Sequence, residues 1–249
     1  MRHESSQYFS ESTLIQSYFF NFIFFVSTMM TGLICWSLTP FKASKLIKSI
    51  FTLYGRFVMF AFRNIMNVTI TYSGRDNVPC TGSVIFAAKH QSYADSYSLW
   101  LQGLNARFVL GTFTASRPIM RSLVPHLDML TANEQGGLKA FRDFKRQVDA
   151  LVQEEKRIVI YPEGEIPKLG ERGKYHAGVY YLYKKFSCPV IPIATTMGTC
   201  WPQNLAVKYS GAVQVKYLDA ILPGLGKSEF MAKLENVIEA ETKAMLVQL

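Results

Sequence analysis

The sequence predicts an α/β domain, a mixed and mostly parallel sheet flanked by helices, preceded by a pair of apolar, membrane-associated helices. Three observations predict it. The segment from Ser12 to Phe41 carries no charged residue. Beyond Asn67 the chain turns into short β-branched and apolar runs separated by Gly, Pro and Asn, alternating with longer helical periods. These runs are mostly apolar on both faces, as strands covered by helices on either side should be. The boundary therefore falls near Asn67, with residues 1–67 membrane-associated and residues 68–249 forming the α/β domain.

The centre of the first segment, Leu14 to Trp36, is rich in Phe, Ile, Met and Leu. At about 1.5 Å per residue it can cross a hydrocarbon core of roughly 30 Å, so it reads as a candidate membrane helix. A signal peptide is the competing reading. Arg2 mixed with Glu4 and Glu11, and no small-residue cleavage pattern afterwards, favour a retained helix. The next apolar stretch, Ile47 to Met66, is interrupted by Arg56 and Arg63 and preceded by Lys42, Lys45 and Lys48. If the first helix spans, these cations put everything after Pro40 in the cytoplasm, beneath an inner or cytoplasmic membrane, with the second helix in the interface. Whether the first helix spans or lies in the surface is left open, and a pair of core-facing helices in a soluble domain is the plainer alternative.

Strands are expected at Val68 to Tyr72, Ser83 to Lys89, Arg107 to Leu110, Arg157 to Tyr161, Val190 to Thr195 and Ala212 to Tyr217. Leu138, Phe141, Phe144, Val148, Leu151 and Val152 recur at helical spacing, as do Phe230, Leu234, Val237, Ile238 and Met245. Both sets describe amphipathic helices that cover the sheet.

At 249 residues the chain holds one well-packed domain and an appendage. Its net charge of +9 is spread along the chain rather than gathered in one run. With the apolar N-terminal region, that balance suits anionic lipid headgroups, and no nucleic-acid recognition signature is present. Cys35, Cys80, Cys188 and Cys200 lie far apart without metal-ligand spacing, and read as reduced thiols.

The chemistry-bearing stretch is Phe86-Ala87-Ala88-Lys89-His90-Gln91-Ser92-Tyr93-Ala94-Asp95. A buried strand ends in a His, Ser92 is a plausible N-cap, and Asp95 falls in the first turn of the next helix. Positions five apart do not share a helix face, so His90 must sit in the preceding loop for Asp95 to reach back to it. A carboxylate-held imidazole can take a proton from a hydroxyl, and no nucleophile is built in beside it. Direct attack of a substrate hydroxyl on an acyl thioester is then simpler than a covalent acyl-enzyme. A second block, Ile158 to Glu165, runs a buried strand into a Pro162-Glu163-Gly164 turn. Gly164 permits close backbone approach to a ligand, and Glu163 is poised to order the site.

With Val190-Ile191-Pro192-Ile193-Ala194 as a last block, the chain resembles the bacterial 1-acylglycerol-3-phosphate (lysophosphatidate) acyltransferases of the glycerolipid and lysophospholipid acyltransferase superfamily, over nearly its whole length. The resemblance implies an α/β domain on a two-helix membrane motif. It implies transfer of a fatty acyl group from acyl carrier protein or coenzyme A to the sn-2 hydroxyl of 1-acylglycerol-3-phosphate, giving phosphatidic acid, with no metal or other cofactor. His90 would be the base, Asp95 its orienting partner, and donors near the site would stabilise the oxyanion.

Three departures bear on the acceptor. Glu134 stands at or near a position usually Arg in relatives that use a phosphomonoester, Glu165-Ile166 replaces Thr-Arg after the Pro-Glu-Gly turn, and His176 replaces a Lys before Gly178. An Arg fork suits a terminal phosphate and Glu repels one. Either Arg117, Arg121, Lys168, Arg172 or Lys174 supplies the phosphate site, or the acceptor is a lysolipid or aminolipid without a terminal phosphate. A thioester hydrolase and a membrane-binding module without catalysis are the rival classes.

Overall fold

The computed structural model describes residues 14–133, 137–151, 156–203 and 206–248. Two long helices come first, α1 (Leu14–Leu38) and α2 (Ser44–Ile65). Seven strands follow: β1 (Val68–Ser73), β2 (Val84–Ala88), β3 (Arg107–Gly111), β4 (Leu130–Ala132), β5 (Arg157–Ile160), β6 (Val190–Thr195) and β7 (Gly211–Tyr217). Between them run α3 (Ala94–Trp100), α4 (Thr112–Ala115), α5 (Pro118–Leu123), α6 (Gly137–Asp149) and α7 (Gly178–Phe186), and α8 (Lys227–Val247) follows the last strand.

The strands form one sheet in the order β1-β7-β6-β2-β5-β3-β4. The pairings are parallel except β6 with β7, so the sheet is mixed and mostly parallel. All five residues of β2 are buried. Val84, Phe86 and Ala88 enter a cluster shared with α2 and α3, while Ile85 and Ala87 enter another shared with α6, α7 and α8. Alternate residues of a strand point to opposite faces, so a strand apolar throughout needs a helical layer on each side. Each fully buried Val, Ile or Phe stabilises that arrangement by about 1.5–3 kcal/mol.

Helix α2 buries Tyr54, Val58, Met59, Ala61 and Phe62 in the cluster on its side of the sheet, and leaves Arg56, Phe57, Phe60 and Arg63 outside. Helix α1 packs along its length against the rest of the protein through one narrow stripe. Ser17 Oγ accepts from Lys208 N–H and donates to Lys208 O, Phe20 and Phe24 meet Trp201 edge to face, and Thr28 bonds Tyr54. Cys35 closes the stripe in a small cluster with Ile47, Leu123 and Leu127. The spacing of these positions is that of one helix face. The opposite face exposes Tyr18, Phe19, Phe22, Phe25, Met30 and Trp36. Residues Leu14–Phe41 are long and apolar enough to cross a membrane.

Candidate active site

The carboxyl ends of β2 and β5 lie side by side, with Ala87 opposite Ile160 in a parallel pairing. Three residues beyond each partner stand His90 and Glu163, so the register alone brings two distant sequence blocks together. Past β5, Gly164 N–H donates to Tyr161 O at 3.0 Å, and Gly164 takes φ +70°. That conformation is open to Gly and costly for a residue with a Cβ.

His90 occupies the loop between β2 and α3. Its Nδ1 lies 3.1 Å from Asp95 Oδ2, and the same oxygen accepts from the N–H groups of Gln91 (2.7 Å) and Ser92 (2.8 Å). The carboxylate thus reaches back from the first turn of α3 and closes the loop on itself, as short acidic side chains do at turns. Tyr93, not Ser92, is the N-cap residue of α3. Ser92 Oγ instead accepts from Ala94 N–H at 3.0 Å and braces the turn one residue earlier.

The Asp95 side chain is 3% exposed and that of His90 17%, so the imidazole stays reachable while its partner does not. Asp95 Oδ1 is buried without a hydrogen-bond partner among the described residues. A buried carboxylate satisfied on one oxygen only is poorly compensated. The Tyr161 ring stacks on the imidazole, with centroids 4.1 Å apart and planes inclined by 21°. Burial, with the Asp95 charge adding to it, holds the Tyr161 phenol protonated well above its ordinary range.

Glu163 is buried beneath this loop. Its Oε1 accepts from His90 N–H at 3.1 Å, and its Oε2 from Lys89 Nζ (2.9 Å) and Gly173 N–H (3.2 Å). Burial raises its carboxyl above the usual range, and the Lys89 ammonium opposes that rise. Lys89 also reaches Glu239 Oε1 of α8 at 2.8 Å, and Tyr175 OH donates to the same oxygen at 3.0 Å. Chemically the arrangement can do one thing well: a ring nitrogen backed by a fixed carboxylate can accept a proton and return it.

The basic residues expected around a phosphate fall in two places, at α5 and in the loop after Gly164, where Arg172 and Lys174 flank the Gly173 that bonds Glu163. Arg117 caps the start of α5 with its guanidinium over the Phe113 ring, and Arg121 is exposed on the same helix, which packs on α1. Arg172 Nε is paired with Glu235 of α8 at 2.8 Å, while Lys168 and Lys174 are exposed in the loop after Gly164. None of the five bonds His90, Asp95 or Glu163 among the described residues. Glu134 and Val152 lie outside the described residues. A cavity of about 510 Å³ lined by Trp100, Leu104, Arg107 and Arg157 opens at the starts of β3 and β5, the end of the sheet opposite His90.

Lys89, Tyr161, Tyr175 and Glu239 were not foreseen as site residues. Lys89 did carry a signal, since a charged side chain closing a buried strand must find a partner. Glu239 carried none, being 150 positions away on an amphipathic helix.

The model of the family described as Acyltransferase matches residues 69–196, which include all three sequence blocks. A 1-acyl-sn-glycerol-3-phosphate acyltransferase of Pseudomonas aeruginosa is 26% identical over 162 residues, 64% of this chain and 62% of that protein. The chloroplastic 1-acyl-sn-glycerol-3-phosphate acyltransferase BAT2 of Brassica napus is 26% identical over 127 residues, 51% of this chain and 36% of its own. The aligned region thus spans less than two thirds of these curated relatives. The crystal structure of the 1-acyl-sn-glycerophosphate acyltransferase PlsC from Thermotoga maritima has the same fold, with a TM-score of 0.70 at 19% identity over 93% of this chain and 95% of that one.

Proposed function

The chain belongs to the Acyltransferase family, and from that premise we propose that it transfers a fatty acyl group from a thioester, on acyl carrier protein or coenzyme A, to the sn-2 hydroxyl of 1-acylglycerol-3-phosphate. The product is phosphatidic acid. The observation that carries the reading is the His90 Nδ1 to Asp95 Oδ2 contact at 3.1 Å, fixed by two backbone amides.

In the proposed reaction His90 Nε2 takes the proton of the acceptor hydroxyl as its oxygen attacks the thioester carbonyl carbon. Asp95 holds Nδ1–H and balances the imidazolium. The tetrahedral oxyanion collapses with cleavage of the C–S bond, and the imidazolium returns its proton to the departing thiolate. Tyr161 limits the ring to one plane, and Glu163 fixes the backbone from which the ring projects.

Helix α1 supports a membrane-surface reading rather than a spanning one. Its polar stripe, Ser17, Asn21 and Thr28, is bonded to the rest of the protein, so that face is not free to meet lipid. The exposed aromatic face lies in one leaflet in this reading, with the site on the cytoplasmic side of the inner membrane.

A second acceptor, a lysolipid without a terminal phosphate, is favoured by Glu165 after the Pro-Glu-Gly turn and by the engagement of Arg172 with Glu235. An acyl-transfer assay in detergent, with a labelled thioester and lysolipids with and without a terminal phosphate, tests the proposal. Acylation of lysophosphatidate supports the first acceptor, use of another lysolipid alone supports the second, and thioester hydrolysis indifferent to acceptor overturns both.

A further inference from the structure

The Lys89 side chain is 2% exposed and meets two carboxylates, Glu163 Oε2 at 2.9 Å and Glu239 Oε1 at 2.8 Å. A buried ammonium is tolerated only where such partners replace its water. Here the partners differ in what they hold. Glu163 carries the backbone N–H groups of His90 and Gly173, whereas Glu239 belongs to α8 and accepts only from Lys89 and Tyr175 among the described residues. The Lys89 to Glu239 bond thus ties the C-terminal helix to the loop that carries the base.

Resting on the reading of His90 as the base, we infer that Lys89 is a positioning residue for acyl transfer: its buried ammonium holds the Glu163 carboxylate, and Glu163 in turn fixes the His90 backbone.

The charges facing Glu163 make the sign clear. Lys89 favours its ionised form, as does the His90 amide, while burial and the carboxylate of Glu239 oppose it. Tyr175 stays a neutral donor to Glu239, its phenol raised by burial and by the neighbouring carboxylates of Glu239, Glu163 and Glu235. Without Lys89, only backbone donors oppose burial and Glu239, the balance at Glu163 moves toward its protonated form, and its grip on His90 N–H weakens toward that of a neutral bond.

The test compares pH profiles of kcat and KM for the full chain and for Lys89→Met, Lys89→Met with Glu239→Gln, and His90→Ala. Lys89→Met is expected to lose at least about tenfold in kcat at neutral pH and to recover as pH rises, its acidic limb displaced upward by more than about one pH unit. Adding Glu239→Gln removes the carboxylate that opposes ionisation of Glu163 and is expected to move that limb back down, a rescue that loss of packing alone cannot give. An unshifted limb in Lys89→Met, or a double variant no better than the single one, overturns the inference. Full activity in His90→Ala would instead overturn the reading on which it rests, so the two failures are distinct.

Discussion

Replacing Asp95 separates its charge from its geometry. Asn can place its carbonyl oxygen where Oδ2 now accepts from Gln91 N–H at 2.7 Å, Ser92 N–H at 2.8 Å and His90 Nδ1 at 3.1 Å. The loop survives and the countercharge for the imidazolium does not. In Asp95→Asn, kcat/KM should fall by about 10²–10⁴-fold while the melting temperature changes little, by analogy with carboxylate-to-amide changes in other His-based sites. Asp95→Ala removes the acceptor as well. Two buried backbone amides are then orphaned at about 1–3 kcal/mol each, so a further loss of roughly 2–6 kcal/mol in stability is expected. The assay follows a labelled acyl chain into lipid rather than thiol release, because Cys80 is exposed and would react with thiol reagents. An Asp95→Asn protein within about threefold of the parent would refute the argument that the countercharge drives proton transfer.

Other consequences are equally open to measurement. A Cβ at Gly173 would clash with Glu163 Oε2, so Gly173→Ala should displace that carboxylate, costing about 1–3 kcal/mol in denaturant titration and depressing transfer. Trp201 is fully buried against Phe20, Phe24 and Phe62, and Trp201→Ala should cost about 3–5 kcal/mol and loosen α1, read as faster proteolysis within residues 14–38. Burial pulls the Lys208 ammonium down to about 8 from 10.5. The folded protein then binds fewer protons than the unfolded chain between those values, so this group's contribution to stability rises with pH across that window. Lys208→Met should flatten that rise in a melting-temperature series, and an unchanged slope would dissociate it from Lys208.

Much of the fold was legible because its strands are apolar on both faces. The six expected strands appear within a residue or so of their expected limits, as at Val190–Thr195. The three-residue β4 was missed since a short edge strand has no period to read, and α7 because nine residues give a helical period too few turns to stand out. The pairing of His90 with Asp95 was open to local geometry, because only four residues separate them, and it gained its weight from the Pro-Glu-Gly block and the family resemblance. Its setting was not. The convergence of Glu163 on His90 depends on the β2–β5 register, and that of Glu239 on Lys89 depends on where α8 docks. Both are long-range packing outcomes that no local pattern encodes.

The central claim is that His90 is the base of an acyl transfer, and one variant tests it most directly. Purified His90→Ala, shown to be folded by its melting temperature and still bound to vesicles, should transfer no measurable acyl label to any lysolipid that the parent protein accepts. Transfer at the parent rate from that folded, membrane-bound variant would contradict the account.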